Sequence, residues 1–163
     1  DPPLDQLALC SNCMTTDNNR TGSVCDITDP LVLNFIAIIG EEGVVDFDVI
    51  EQREFMKFWS SIAIHRYEDE DFTCIFYGTL LVKYIGIERT GSKVLALKDH
   101  KFNQEVFDNL LEVHTTKKPV YLFGSLEGNE RGHINWQQVK MPLRRKGELN
   151  EVLSLLSFSP HTY

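Results

Sequence analysis

An α+β fold built on a five-stranded antiparallel sheet is predicted by three features of the chain. First, the β-branched and aromatic stretches 61–68 and 72–77 flank an acidic turn and read as a hairpin. Second, the stretch 67–97 leaves that hairpin through Gly78-Thr79 into apolar residues at helical spacing, then passes Gly86 and Thr90-Gly91 into another short helical piece. Third, strands at 120–126, 133–143 and 151–158 follow one another with only turns between them, which demands antiparallel pairing.

The elements follow in order. Residues 1–29 are rich in Asp, Asn, Thr, Ser and Pro, and beyond one amphipathic turn at Leu4, Leu7 and Ala8 they are expected to be irregular. Asp29-Pro30 is a helix start, with Asp as N-cap and Pro in the first turn, for an apolar helix over 31–39 that stops at Gly40. Asp48 and Glu51 suit a capping box for a further helix, whose Phe55, Phe58 and Trp59 form an aromatic packing stripe. Ile62, Ile64 and Arg66 alternate with Ala63, His65 and Tyr67 in the first strand, and Glu68, Asp69, Glu70 and Asp71 read as a solvated turn.

Thr79 is a suitable N-cap for a helix carrying Leu80, Leu81, Tyr84 and Ile85, and Gly86 can supply its left-handed stop. Gly78 and Gly91 are expected to be required by the backbone rather than by contacts. Phe102, Val106, Leu110 and Val113, with Phe107, Leu111 and His114, place a wide apolar face on a helix over 102–114, and Pro119 bars its continuation. Gly128-Asn129 and Lys146-Gly147 read as turns, and Pro142 suits a strand terminus or edge.

Composition narrows the function. The 163 residues form a one-domain length, with 42% hydrophobic and 25% charged residues and a net charge of −8, which disfavours phosphate backbones. The longest apolar run, 31–39, is far short of the roughly 20 residues that span a bilayer, and nothing resembles a signal peptide, so a cytoplasmic setting is expected. Cys10-x-x-Cys13, Cys25 and Cys74 lack the second close pair of a zinc site. Of the histidines, His65, His100, His114, His133 and His161, none forms a helix-borne metal motif. Neither a phosphate-cradling loop nor a nucleophile elbow occurs. Lys140, Arg144, Arg145 and Lys146 cluster in sequence and could hold an anion, although a solvated or partner-facing turn is the plainer expectation.

The segments Tyr77-Gly78-Thr79, Ile85-Gly86-Ile87 and Thr90-Gly91-Ser92-Lys93, in that order, resemble the PAS sensory fold, in a bacterial form with Gly-Thr after the second strand. Met141-Pro142-Leu143 and Gly147 are similar to that family's closing hairpin. The resemblance implies a PAS-like sheet with short helices on one face, dividing the chain into a partly helical extension, 1–54, and a sensory domain, 55–160. It further implies a non-enzymatic bacterial module for signal transduction, which binds a small molecule or a partner and relays a conformational change as a homodimer or through a signalling partner domain.

The expected ligand-binding residues are Phe107, Leu110 and His114 on the helix and Tyr121, Phe123 and Trp136 on the strands, where both faces carry apolar residues. Some family members bind haem through a His on this helix, which His114 could supply, although a His in the last helical turn also suits the helix dipole. A small enzyme or ligand carrier on a cone-shaped α+β fold, with His65 in a pocket, and a pure dimerisation scaffold are the alternatives. A retained ligand would separate them.

Overall fold

Two tight turns fix the register of the sheet. Asp69 and Glu70 both take positive φ between β3 (Ile62–Glu68) and β4 (Asp71–Tyr77), and Lys146 and Gly147 do the same between β6 (Ile134–Arg145) and β7 (Glu148–Pro160). Such two-residue turns match the twist of the strands they join. The computed structural model describes residues 19–96, 100–126 and 134–160; Cys10, Cys13, Leu97, the expected 128–129 turn, His133 and His161 lie outside them.

The remaining elements are β1 (Asn19–Gly22), α1 (Pro30–Ile39), β2 (Val45–Asp46), α2 (Phe47–Ile50), α3 (Met56–Trp59), α4 (Thr79–Ile85), α5 (His100–Thr116) and β5 (Val120–Ser125). The fold is α+β, with one mostly antiparallel sheet in the order β1-β5-β6-β7-β3-β4, and β2 runs parallel to β6 off this path. β3 pairs with both β4 and β7, so the first hairpin is joined to the last strand. No helix among the described residues is long and apolar enough to cross a membrane.

Among the described residues seven strands replace the five expected, because β1 adds to the β5 edge and the two-residue β2 adds to β6. Helices also cover both faces rather than one. Ile62, Ile64, Val139, Met141, Leu153 and Leu155 point from the strands into a core with Val32, Phe35, Ile50, Phe55 and Phe58 of the N-terminal segment. Phe72, Val120, Leu122, Trp136 and Val152 join a second core with Leu110 and Val113 of α5. Val32 and Phe35 of α1 are thus buried against the sheet, whereas Leu33 and Ile38 stay exposed. Phe35 anchors that layer, its ring 5.1 Å from Phe58 and 6.4 Å from Phe55.

Local chemistry explains the boundaries. Asp29 Oδ1 accepts from the Leu31 and Val32 amides at 2.9 and 3.2 Å, the expected cap of α1. The helix expected from Asp48 is instead broken into α2, a 3-10 turn at Arg53–Phe55 and α3, and Asp46 is the first N-cap. Around residues 90–96 the chain forms turns and a single bridge, Thr73 with Lys93, where a short helix was expected. Asp71 explains this difference. Its buried carboxylate accepts from the Phe72 and Leu95 amides, tying the segment alongside β4, so the acidic turn is not solvated throughout.

Gly78, not Thr79, caps α4, and its φ of −65° is ordinary. A Cβ there would lie 2.4 Å from the Ser60 carbonyl oxygen, so the glycine is needed for close approach of two backbones. Gly86 ends α4 at φ 89°, in the left-handed region.

Candidate functional site

The packing between the sheet and α4–α5 is incomplete. A cavity of about 260 Å³ remains there, just below the roughly 300–1,000 Å³ typical of drug-sized ligand sites. Strand parity sets its floor. Ala63 and His65 of β3, Gln138 and Lys140 of β6, and Ser154 and Leu156 of β7 face it, whereas their neighbours Ile64, Val139 and Leu155 face α1. Leu81 and Ile85 of α4, and Asn103, Val106 and Asn109 of α5, form the roof. The 89–94 segment closes one side with Arg89, Ser92 and Val94, held there by Cys74 N–H to Ser92 O at 2.9 Å and Val94 N–H to Phe72 O at 3.0 Å.

Five polar residues of the cavity, His65, Asn103, Gln138, Lys140 and Ser154, are buried, and two of them have an unpartnered atom. His65 is 6% exposed and Lys140 4%. Lys140 Nζ donates to Ser154 Oγ at 2.9 Å. The buried atoms His65 Nδ1 and Asn103 Nδ2, by contrast, have no hydrogen-bond partner. Burial lowers Lys140 from its ordinary 10.5 to about 7. Burial, reinforced by Lys140 and Arg89, lowers His65 to about 3, so its ring is neutral at physiological pH. Burial also pushes the Cys74 thiol to about 11 and the Tyr77 hydroxyl, which is hydrogen-bonded to Arg89, to about 12. Both stay protonated, and Cys74 is a poor nucleophile. Among the described residues lining the cavity there is no Asp or Glu.

Of the six side chains expected to bind a ligand, Trp136 lines the cavity. Leu110 is fully buried in the adjoining core, and Phe107 packs there against Phe72, their rings 5.7 Å apart. His114 stacks on Tyr67 at 4.5 Å. Tyr121 and Phe123 pack against the α1 core, because the period of two along β5 turns them away from Leu122. A haem does not fit His114. Its ring is stacked on Tyr67 and beside Phe72, Lys117 Nζ sits 3.3 Å from Nδ1, and the residue does not line the cavity. Among the described residues no group of three or more His, Cys, Asp and Glu side chains could hold a metal ion.

The sequence cluster of cations is also dispersed. Lys140 points into the cavity, Arg144 pairs with Asp46 and Glu42 at 3.1 and 3.3 Å, and Arg145 bonds Glu151 while lying 3.5 Å over the Phe47 ring. Sequence reasoning missed Gln138, Ser154 and Asn103 as lining residues and placed Lys140 only in a cluster of cations that could hold an anion. The shared parity of Trp136, Gln138 and Lys140 was the available signal. Comparison with protein-family models and with curated proteins finds no match to this chain.

Proposed function

We propose that this chain is a PAS-type sensory and interaction module that binds a small molecule between its sheet and α4–α5 and relays the event without catalysing a reaction. The observation that carries this reading is the cavity itself, with buried polar atoms, His65 Nδ1 and Asn103 Nδ2, that have no hydrogen-bond partner among the described residues. Buried polar groups without hydrogen bonds are costly, and a ligand would satisfy them. The order of two strands, helices and three strands supports the family resemblance, as do the left-handed Gly86 and the positive φ of Gly91 in the Thr-Gly turn. A binding role is favoured over chemistry because His65 is held neutral and no lining carboxylate among the described residues would orient or charge it.

The relay has a physical route. The strands that floor the cavity also carry the core on the opposite face, so a shift of Ala63 or Lys140 moves Ile64 or Val139 as well. β6 and β7 further grip the start of α1: Gln137 Oε1 accepts from the Thr28 and Asp29 amides, and Ser157 Oγ donates to Asp29 Oδ2 at 2.7 Å. A second copy of the chain, or an output domain, would read the change from the α1 side.

Native mass spectrometry of gently purified protein, followed by thermal melts against a panel of small metabolites, tests the proposal. A retained small molecule, or a compound that raises Tm in wild type and fails in a cavity-filled Ala63→Leu variant, is expected. If nothing is retained and no compound shifts Tm, the sensory reading gives way to an interaction scaffold.

A further inference from the structure

The cavity is amphipathic along the strand axis. At one end, Lys140, Ser154 and Ala63 occupy one cross-strand row, with His65 beside it. At the other end Trp136 and Phe158 face each other across β6 and β7. Lys140 and Trp136 are four residues apart on β6, about 13 Å at roughly 3.3 Å per residue. The polar end offers donors in the Lys140 ammonium and the Arg89 guanidinium at the Tyr77 hydroxyl, and on the α5 side of the cavity Asn103 Nδ2 is buried without a partner among the described residues. No salt bridge joins Lys140 to an acid among the described residues, and desolvation alone depresses its basicity. A buried cation without a counter-ion is expensive, whereas one met by a bound anion is stabilised.

We propose that the ligand is a small amphipathic carboxylic acid, its carboxylate at Lys140 and its apolar tail against Trp136 and Phe158. The inference rests on the small-molecule reading above and adds the ligand's chemical class. A single carboxylate matches Lys140, the one buried Lys or Arg among the described residues. The lining titratable groups, His65 on β3, Cys74 and Tyr77 on β4, and Arg89 beyond α4, give the cavity wall positive charge only at neutral pH, and the exposed Glu88 beside Arg89 acts on Cys74 and Tyr77 from outside the lining. Because Lys140 must be protonated to pair with the carboxylate, binding takes up a proton, and affinity falls as pH rises above about 7.

Calorimetric titration with hexanoate and 3-phenylpropanoate, each beside its alcohol and amine of the same skeleton, tests this on wild type and on Lys140→Met. Methionine is an unbranched side chain one atom shorter than lysine and removes the charge, and the melt of the variant verifies that it is folded. At least one carboxylate is expected to bind wild type in preference to its alcohol and amine. Its affinity should weaken about tenfold per pH unit above the lysine's titration. Lys140→Met should lose about 10- to 100-fold in carboxylate affinity, and its residual binding should not vary with pH over that range. Alcohols or amines binding as tightly as the acids, or a Lys140→Met variant with unchanged affinity, would overturn the carboxylate assignment and leave a small-molecule module standing. Absence of binding by every probe would overturn the carboxylate assignment for this class of skeleton, whereas the small-molecule reading falls only if, in addition, no molecule is retained and no metabolite shifts Tm.

Discussion

Replacing Lys140 with Met should make the ligand-free protein more stable, and by an amount that depends on pH. Folding lowers the Lys140 pKa from 10.5 to about 7. The unfolded chain therefore holds more protons than the folded one between those values, so wild-type stability rises with pH across that window and the penalty is complete below it. At 1.36 kcal/mol per pH unit the penalty is on the order of 5 kcal/mol at pH 6. The variant also loses the bond to Ser154 Oγ, at a cost of about 1–2 kcal/mol. The net expectation is a gain of roughly 3 kcal/mol at pH 6, shrinking to zero or below as pH approaches 10.5. Urea unfolding of both proteins at pH 6, 8 and 10 measures it. A difference that stays constant over this range would refute the argument that an unpaired cation is buried in the cavity.

The other predictions are independent of ligand identity. Ala63→Leu grows into open space and should fold with little loss of stability. Leu110→Trp enters a filled core and should cost about 1–3 kcal/mol, both read from chemical denaturation. Gly78→Ala should cost at least about 1–3 kcal/mol through contact with the Ser60 backbone; a variant as stable as wild type would contradict the close approach. Because folding lowers the His65 pKa to about 3, stability should fall as pH drops from 6.5 to 3, by up to roughly 5 kcal/mol, and His65→Gln should flatten that part of the profile. Deleting residues before Phe55 removes the fully buried Val32, Phe35, Val45 and Ile50, each worth about 1.5–3 kcal/mol. That loss approaches the whole stability of a domain, so the shortened chain should lose its near-ultraviolet circular dichroism or aggregate; a well-folded product would show the N-terminal layer to be separable.

Local signals in the sequence were reliable where backbone chemistry decides the outcome. Asp29-Pro30 starts a helix and Gly86 ends one for the reasons read from the residues, and the acidic and Lys146-Gly147 turns close hairpins, the first with Asp71 buried rather than solvated. β1 was invisible because Asn-Arg-Thr-Gly carries no hydrophobic alternation and pairs with β5 through its backbone. The second covered face was harder to see. Residues 138–143 of β6 are buried on both sides, and such a continuous run is the mark of a sheet clad on two faces. Proximity in sequence also misled: Lys140 reads as one of four clustered cations, but it shares the inner face with Trp136 and Gln138, while Arg144 pairs with acids of the N-terminal segment. Helical periodicity correctly joined Phe107, Leu110 and His114 on one apolar side of α5. It did not show that Asn103, Val106 and Asn109 are the turns over the cavity.

The central claim, that a small molecule occupies the space between the sheet and α4–α5, is tested most directly by amide and methyl NMR during titration with 3-phenylpropanoate and with 3-phenylpropanol. The claim predicts saturable shifts at Ala63, Gln138, Ser154 and the Trp136 indole, with weaker propagation to Asp29 at the start of α1, and none of these in Ala63→Leu. Shifts confined to the exposed Leu33 and Ile38 of α1, or a spectrum unchanged by both compounds, would contradict it.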